Sequence, residues 1–570
     1  MKRKFSPQMD SSKLSKITPC SVWRSASTFS NYFRDEPLID YLDKYRIYTV
    51  SDLSAHLGES RASSSRFRRR PPPSGMFAHL IEKGNIFESE VYYTLRDLVQ
   101  SFYEFPNDVK EIFKDENYNK TLELLQNPDV DIIFHPVVRN YTTRTFGSPD
   151  LLLRGRFITA LFENPPRVED DFFYVVDIKA STLELDSSQT FLQNSILYDG
   201  YKSQLYIYSA ALQEMTKNTA NIAFVLGKGV RFGDEKVDSP YHTLGLIDYD
   251  TRDRWVVEKM PDAIDWLNRL EKDGDSWSLC PPSIPELCPN INNTCDKNYS
   301  NIKRILARRN GEITQLWQCG VEERRRAFRQ GVTSLYDKRL TPEILGIEKS
   351  SKKYNIVSRI LEMKDVDYNY LIPIANNHQN WRVKTPEVYL DFETLYNSDD
   401  EIFVFLIGVS YLGKHYTWLA QRCEKEEEKR IWREFATWLQ SLPSNIRIVH
   451  WGNIERHLLR TLSEKYDSIT LRPGVIDASL DVLEVFRYSE DPIIVKDCYD
   501  FSLKTIAGAL YRFGEIRDGY DGDVSDGATA MTLAINVYRH GLDIEEMVEV
   551  VTYNKKDCRI VAQILEFLRK

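Results

Sequence analysis

The stretch Glu387–Asn397 reads EVYLDFETLYN and sets Asp391 and Glu393 two residues apart behind the apolar strand formers Val388, Tyr389 and Leu390. Side chains at i and i+2 of a strand share one face. Two carboxylates held that close repel unless water or a cation lies between them, and hard divalent cations prefer carboxylate oxygens. Further acids recur downstream. Glu455 follows an apolar strand pattern ending at His450, in HWGNIE, where a helix begins. Asp477 and Asp481 are alternatives to it. Near the C-terminus, YNKKDCRIVAQILEFL is an amphipathic helix with Tyr553 and Asp557 at i and i+4, on one helical face. An acid pair on the first strand, an acid after the fourth and a Tyr/Asp pair on the last helix can converge around metal ions.

A second constellation lies in the first half of the chain. GSPDLLLRGRF, from Gly147, puts Asp150 just before an apolar strand, and YVVDIKAS ends a strand with Asp177 and Lys179 on one face. Upstream, the helical GNIFESEVYYTLRDLV carries Glu88; downstream, YKSQLYIYSAAL carries Gln204 and Tyr208 at i and i+4. GVSYLGKH, from Gly408, nearly matches a phosphate loop. It ends in His rather than Ser or Thr and lies between two strands, so it is no nucleotide site.

The elements that must position these residues fall into three regions. Residues 385–570 read as one α/β domain, with strands at Val388–Leu390, Ile402–Ser410 and Tyr416–Leu419, a charged helix from Glu424 to Leu442 and a strand ending at His450. Three strands, a helix and a fourth strand is the opening order of an RNase H-like sheet. Residues 1–275 mix helix and strand patterns around a basic loop at 61–75, RASSSRFRRRPPPSG, with five arginines and no acid. It is either a solvated loop or a phosphate-contacting or targeting segment. Residues 276–384 open with a Pro/Asn/Cys-rich stretch and continue as a basic helical linker. Between Asn301 and Leu340 there are ten Lys/Arg against four Asp/Glu. GEITQLWQCGVEERRRAFRQGVTSLYD suggests a helical hairpin whose Arg324, Arg325, Arg326 and Arg329 contact a phosphate backbone, the alternative being a solvated helix face.

Bulk composition narrows the class. A chain of 570 residues with 42% hydrophobic residues suggests several packed domains. Eight cysteines are too sparse for a disulfide framework. No apolar run of about 18 residues suggests a membrane span, and the N-terminus lacks the apolar core of a secretory signal. An intracellular setting, cytoplasmic or nuclear, is expected. The net charge of −9 excludes a uniformly basic coat but not local basic surfaces.

The first constellation resembles the DEDD exonucleases, the RNase H-like proofreading class, in their tyrosine-bearing form. Asp391 and Glu393 match the first motif, and Tyr553-x-x-x-Asp557 the last. HWGNIE departs from the H-N-x-x-F-D pattern by placing Glu455 where aspartate is usual. DFSLKTIAGAL looks like the class's S-L-K segment, a packing and substrate-side element. The resemblance implies up to two Mg²⁺ or Mn²⁺ held by Asp391, Glu393, Glu455 and Asp557, with Tyr553 orienting the attacking water.

The second constellation resembles the RecB-like branch of the PD-(D/E)xK nucleases. Pro149–Asp150 and Asp177-x-Lys179 match the core motif, Glu88 the first-helix acid and Gln204-x-x-x-Tyr208 the branch motif. The resemblance implies a restriction-endonuclease-like core with one or two Mg²⁺ or Mn²⁺ on Asp150 and Asp177, and with Lys179 steadying hydroxide or phosphate. Some members of the branch carry an iron–sulphur cluster. The spacing of Cys20, Cys280, Cys288 and Cys295 fits neither that cluster nor a zinc site. The whole arrangement is similar to a predicted RecB-like family in which such a domain precedes an RNase H-like exonuclease domain. It implies a metal-dependent nuclease, acting on DNA rather than RNA, in repair, recombination or replication. The alternatives are an RNA-processing exonuclease and a nucleic-acid-binding protein with one active domain. No helicase motif is visible, and the resemblance leaves room for a helicase or a replication or repair partner.

Overall fold

The computed structural model describes residues 19–59, 76–99, 101–107, 110–218, 220–373, 379–396, 401–467, 469, 471–488, 490–520 and 527–570. The basic loop at 61–75 lies outside the described residues. The chain folds as two compact units, one over Leu80–Asn310 with the N-terminal segment, the other centred on Gly311–Lys570. Residues 276–384 therefore do not stand alone: 276–310 belong to the first unit and 311–384 to the second. No helix among the described residues is long and apolar enough to cross a membrane.

Among the described residues the first unit has the strands β1 (Arg24–Ser25), β2 (Phe102–Glu104), β3 (Ile132–Phe134), β4 (Val138–Asn140), β5 (Thr145–Gly147), β6 (Leu151–Arg154), β7 (Phe173–Glu184), β8 (Ile222–Phe232), β9 (Glu235–Val237) and β10 (Gly245–Asp248). The main sheet runs β10-β8-β7-β6-β3-β2 with β9 folded onto β8, and β1-β5-β4 form a smaller sheet. β6 and β7 are antiparallel, while β7 and β8 are parallel. The apolar run of β7 is buried on both faces, as expected of a central strand. Tyr174, Val176 and Ile178 pack in a layer with Phe87, Val91 and Leu95 of helix α1 (Met76–Leu98). Phe173 and Val175 pack in the other, with Leu205 and Ile207 of helix α2 (Ile196–Thr216) and with Trp266 of helix α3 (Arg254–Asp273). Asp177 and Lys179 continue this second row, so the pleat aims them towards the α2 side.

The segment 276–310 is bound to the first unit by burial and charge. Leu279, Leu287 and Tyr299, with Ile302 and Leu306 of helix α4 (Ser300–Asn310), enter the same core as α2 and α3. The Lys303 ammonium, buried, pairs with Glu36 at 2.6 Å and with Asp296 at 2.6 Å. Burial pushes the Glu36 carboxyl up to about 8 despite that partner.

In the second unit, helices α5 (Val321–Arg329) and α6 (Lys352–Glu362) lead to a strand pair, β11 (Tyr370–Leu371) with β17 (Ile494–Val495), and then to the main sheet. That sheet contains β12 (Glu387–Tyr396), β13 (Ile402–Tyr411), β14 (Lys414–Leu419), β15 (Arg447–His450) and β16 (Leu480–Asp481), ordered β14-β13-β12-β15-β16. β13 runs antiparallel to both β12 and β14, and β15 and β16 run parallel to β12. Helices α7 (Lys425–Ser441), α8 (Asn453–Lys465), α9 (Leu503–Arg512), α10 (Gly527–His540) and α11 (Val548–Leu568) cover it. Val388, Leu390 and Phe392 face the core formed with Trp432 and Phe435 of α7. Tyr389, Asp391 and Glu393 alternate with them on the opposite side. GVSYLGKH is the β13–β14 hairpin, turned at Leu412 and Gly413, both of positive φ.

The expected helical hairpin does not form. Its first arm is only a 3-10 turn, Ile313–Gln315, and α5 is its second. Arg324 is not a surface group. It turns inward and its Nη1 donates to the buried Glu312 at 3.1 Å, so it cannot reach a phosphate. Arg326 is half-buried and donates to the Leu345 carbonyl at 3.2 Å. Arg325, which pairs with Glu322, and Arg329 are the exposed ones.

Candidate active sites

The acidic centre of the second unit forms where β12, α8 and α11 meet. Asp391 and Glu393 stand on β12. Glu455 is in the first turn of α8, which Gly452 makes reachable: its φ of +103° lets the chain turn sharply out of β15. The turn is pinned twice. Gly452 N donates to Asp481 Oδ1 at 2.8 Å, and the buried His450 donates from Nδ1 to the Gly452 carbonyl at 2.7 Å. Asp481 also caps the helix after it through Leu483 N. Of the two alternatives to Glu455, Asp481 thus serves the turn, and Asp477 is exposed and paired with Arg460 at 2.9 Å.

The last helix completes the centre. Asn554, fully buried on α11, donates to Asp391 Oδ2 at 2.8 Å and to the Asp391 carbonyl at 3.2 Å. Such an approach requires Gly408, opposite Asp391 on β13, since a Cβ there would stand 1.6 Å from Asn554 Oδ1. One turn further, Asp557 accepts hydrogen bonds from the phenols of Tyr553 and Tyr520. The Lys504 ammonium lies 5.2 Å from the Tyr553 ring centre and 5.5 Å from that of Tyr520.

Electrostatics show the four carboxylates acting on one another. Burial, then Glu393, Asp557 and Glu455, hold the Asp391 carboxyl well above the usual range. Burial and Asp557 push Glu393 up to about 8; burial, with Asp481 and Glu393, pushes Glu455 to about 8. Burial raises Asp557 as well. Close carboxylates that cannot ionise together are what a divalent cation relieves. Among the described residues, Glu455 Oε2 and Asp481 Oδ2 are both buried with no hydrogen-bond partner, acceptors suited to an ion. Among the described residues, no three of these carboxylates have ligand atoms all within 4.8 Å of one another.

Residues 388–569 match the RNase H superfamily. The matched span begins on β12 and ends just past α11, so it encloses all four carboxylates and both tyrosines of the centre. An RNase H-like domain supports nuclease activity on nucleic acid and a requirement for divalent metal such as Mg²⁺. No curated protein matches the chain.

In the first unit the expected residues surround the middle of β7, which runs on past Lys179 to Glu184. Asp150, just before β6, accepts from Ile178 N at 2.7 Å through Oδ2. Asp177 is buried and ion-paired to Lys179. Burial, aided by Asp150 and opposed by Lys179, pushes the Asp177 carboxyl up to about 7. Burial works against the Lys179 charge, yet Asp177 and Asp150 outweigh it and hold its pKa above the usual lysine value. Tyr208 accepts from Gln204 Nε2 at 3.0 Å, and burial, with Asp177 and Asp150, raises its phenol. Its ring occupies space left by Gly147, where a Cβ would stand 2.2 Å from Tyr208 Cε1. Glu88 is linked to this group through His135. The His135 Nε2 lies 2.8 Å from Glu88 Oε1, and its backbone N donates to the Asp150 carbonyl at 3.0 Å. His135 itself has φ +50°, an uncommon conformation for a residue with a Cβ.

Sequence reasoning missed Asn554, Gly408, Tyr520, Asp481 as a turn-holder and His135. Asn554 carried a signal, since it sits three residues before Asp557 on the same helical face. Tyr520 and His135 carried none, because both reach their sites from loops.

Proposed function

We propose that the protein is a divalent-metal-dependent nuclease with two hydrolytic sites, acting on DNA by preference. The C-terminal site is a 3′–5′ exonuclease of the tyrosine-bearing DEDD type, and the N-terminal site is a RecB-like PD-(D/E)xK nuclease on a restriction-endonuclease-like core. The observation that carries this reading is the meeting of Asp391, Glu393, Glu455 and Asp557, from one strand and two helices, inside a span that matches the RNase H superfamily.

At the C-terminal site those four carboxylates would hold the ions, which supply a lowered water pKa and charge stabilisation at the leaving oxygen. Asn554 fixes the rotamer of Asp391, so that its remaining lone pairs face the centre. Tyr553 orients the attacking water from the last helix, and Tyr520 keeps Asp557 in place when the Tyr553 hydroxyl turns to that water. At the N-terminal site Asp150 and Asp177 would hold the metal and Lys179 would steady hydroxide or the phosphorane. The Gln204–Tyr208 pair buttresses that carboxylate pair from α2.

A digestion panel tests this reading: 5′- and 3′-labelled single- and double-stranded DNA and RNA, with Mg²⁺, Mn²⁺ or EDTA, cut by wild type, Asp391→Asn and Lys179→Ala. Metal-dependent 3′ trimming lost in Asp391→Asn, and a second cleavage lost in Lys179→Ala, is the expected pattern. RNA cut in preference to DNA would replace the polymer assignment. No cleavage of either polymer would refute the nuclease reading.

A further inference from the structure

Beside the N-terminal site lies a cation that the proposed chemistry does not use. Arg34 follows a short helix at Ser30–Phe33 and lays its guanidinium on α2 at Gly200. A Cβ at Gly200 would stand 2.4 Å from Arg34 Nε and 2.6 Å from both Cζ and Nη2. Glycine inside a helix costs about 1 kcal/mol relative to alanine, and here it makes the seat for the arginine. Among the described residues, Arg34 Nε is buried with no hydrogen-bond partner. Asp296, a carboxylate on which Arg34 acts, is already bound by Lys303 at 2.6 Å.

The next residue on α2, Tyr201, ties this arginine to the reacting groups. Lys179 Nζ sits 4.9 Å from the Tyr201 ring centre. Burial raises the Tyr201 phenol, and Lys179 and Arg34 both act to lower it. A guanidinium seated on Gly200 and an ammonium beside the Tyr201 ring offer charge and donors to a doubly oxygenated anion, and the planar guanidinium fork suits phosphate in particular.

We propose that Arg34, seated on Gly200 and acting with Tyr201, binds the backbone phosphate adjacent to the one cut at the Asp150/Asp177 site. This rests on the nuclease reading of the N-terminal unit and extends it: Arg34 places the strand, whereas Lys179 acts on the scissile group.

The test uses the full chain carrying Asp391→Asn, so that only N-terminal cleavage is read, with Arg34→Ala, Arg34→Lys and Gly200→Ala added singly. Arg34→Ala is expected to raise KM about tenfold with kcat nearly unchanged. In Ca²⁺, its affinity for a single-stranded oligonucleotide should lose about 0.7 from the slope of log K against log salt, the contribution of one phosphate contact. Arg34→Lys should keep that slope but not the full affinity. Gly200→Ala, which displaces the guanidinium without removing it, should raise KM as Arg34→Ala does. A folded Arg34→Ala with unchanged KM and slope overturns the proposal; should that variant fail to fold, an unchanged KM and slope in Gly200→Ala do so. If no protein in this background cleaves, the nuclease reading of the unit fails by itself, while the salt slopes still decide whether Arg34 contacts phosphate.

Discussion

Asn554 reaches the Asp391 carboxylate at 2.8 Å only because Gly408 presents no Cβ in its path. Gly408→Ala therefore drives a methyl group into Asn554. Overpacking of this kind costs about 1–3 kcal/mol. The expected outcome is a lower unfolding midpoint and loss of 3′ trimming, with Lys179-dependent cleavage retained. Chemical denaturation and the digestion panel together check it.

The raised carboxyls make stability depend on pH with a defined sign. Glu393 and Glu455 ionise near 8 in the folded protein against an ordinary 4.5. A folded pKa above the unfolded one favours the folded state at low pH, and that stability is lost as pH rises from about 4.5 to about 8. Asp177, raised to about 7, acts in the same direction. In EDTA the thermal midpoint should fall across this window. Mg²⁺ or Mn²⁺ should restore it at pH 8 by binding the folded form alone. Asp391→Asn should flatten the EDTA profile and shrink the metal-induced shift. Equal metal shifts in wild type and Asp391→Asn, by calorimetric titration, would mean that DFE is not a metal site.

Tyr553→Phe removes one of two phenols on Asp557 and leaves Tyr520 bonded to it. The metal-induced thermal shift should survive while 3′ trimming slows by about 10²-fold, the low end for a lost proton-handling or water-orienting group. Loss of the thermal shift would assign Tyr553 to holding the fold of the site instead.

Lys179→Ala takes away the ammonium paired to Asp177 but no metal ligand. In an Asp391→Asn background, cleavage should drop by about 10²–10³-fold, the scale for deleting a group that stabilises transition-state charge. Metal affinity should be largely kept. Full residual rate would remove Lys179 from the chemistry.

Arg324 and its helical neighbours should separate by burial. Arg324→Ala strands Glu312 in the interior and should cost about 3 kcal/mol, as broken buried ion pairs do. Replacing Arg325 and Arg329 together should leave stability within about 0.5 kcal/mol. If α5 contacts nucleic acid, that double variant lowers the salt slope of binding; an unchanged slope leaves α5 as a solvated face.

The sequence by itself determined the strands and helices that bear the chemistry, because their signals are local. EVYLDF alternates so that Asp391 and Glu393 share a face, and Tyr553 and Asp557 recur one helical turn apart; both periods survive folding unchanged. The β7 row that carries Asp177 and Lys179 was legible for the same reason. What the tertiary structure decided was everything that depends on approach between distant segments. Arginines next to one another in sequence point to different environments on a helix, so Arg324 turned inward to Glu312 while Arg325 faced solvent. Asp481, an acid of the right type, was drawn into pinning Gly452 through its Oδ1, and both its Oδ2 and Glu455 Oε2 are buried without a hydrogen-bond partner. Gly408, Gly147 and Gly200 each hold a side chain from another element in the space of a missing Cβ. A glycine's neighbours in space are not written in its neighbours along the chain, and only packing reveals which of them the gap was for.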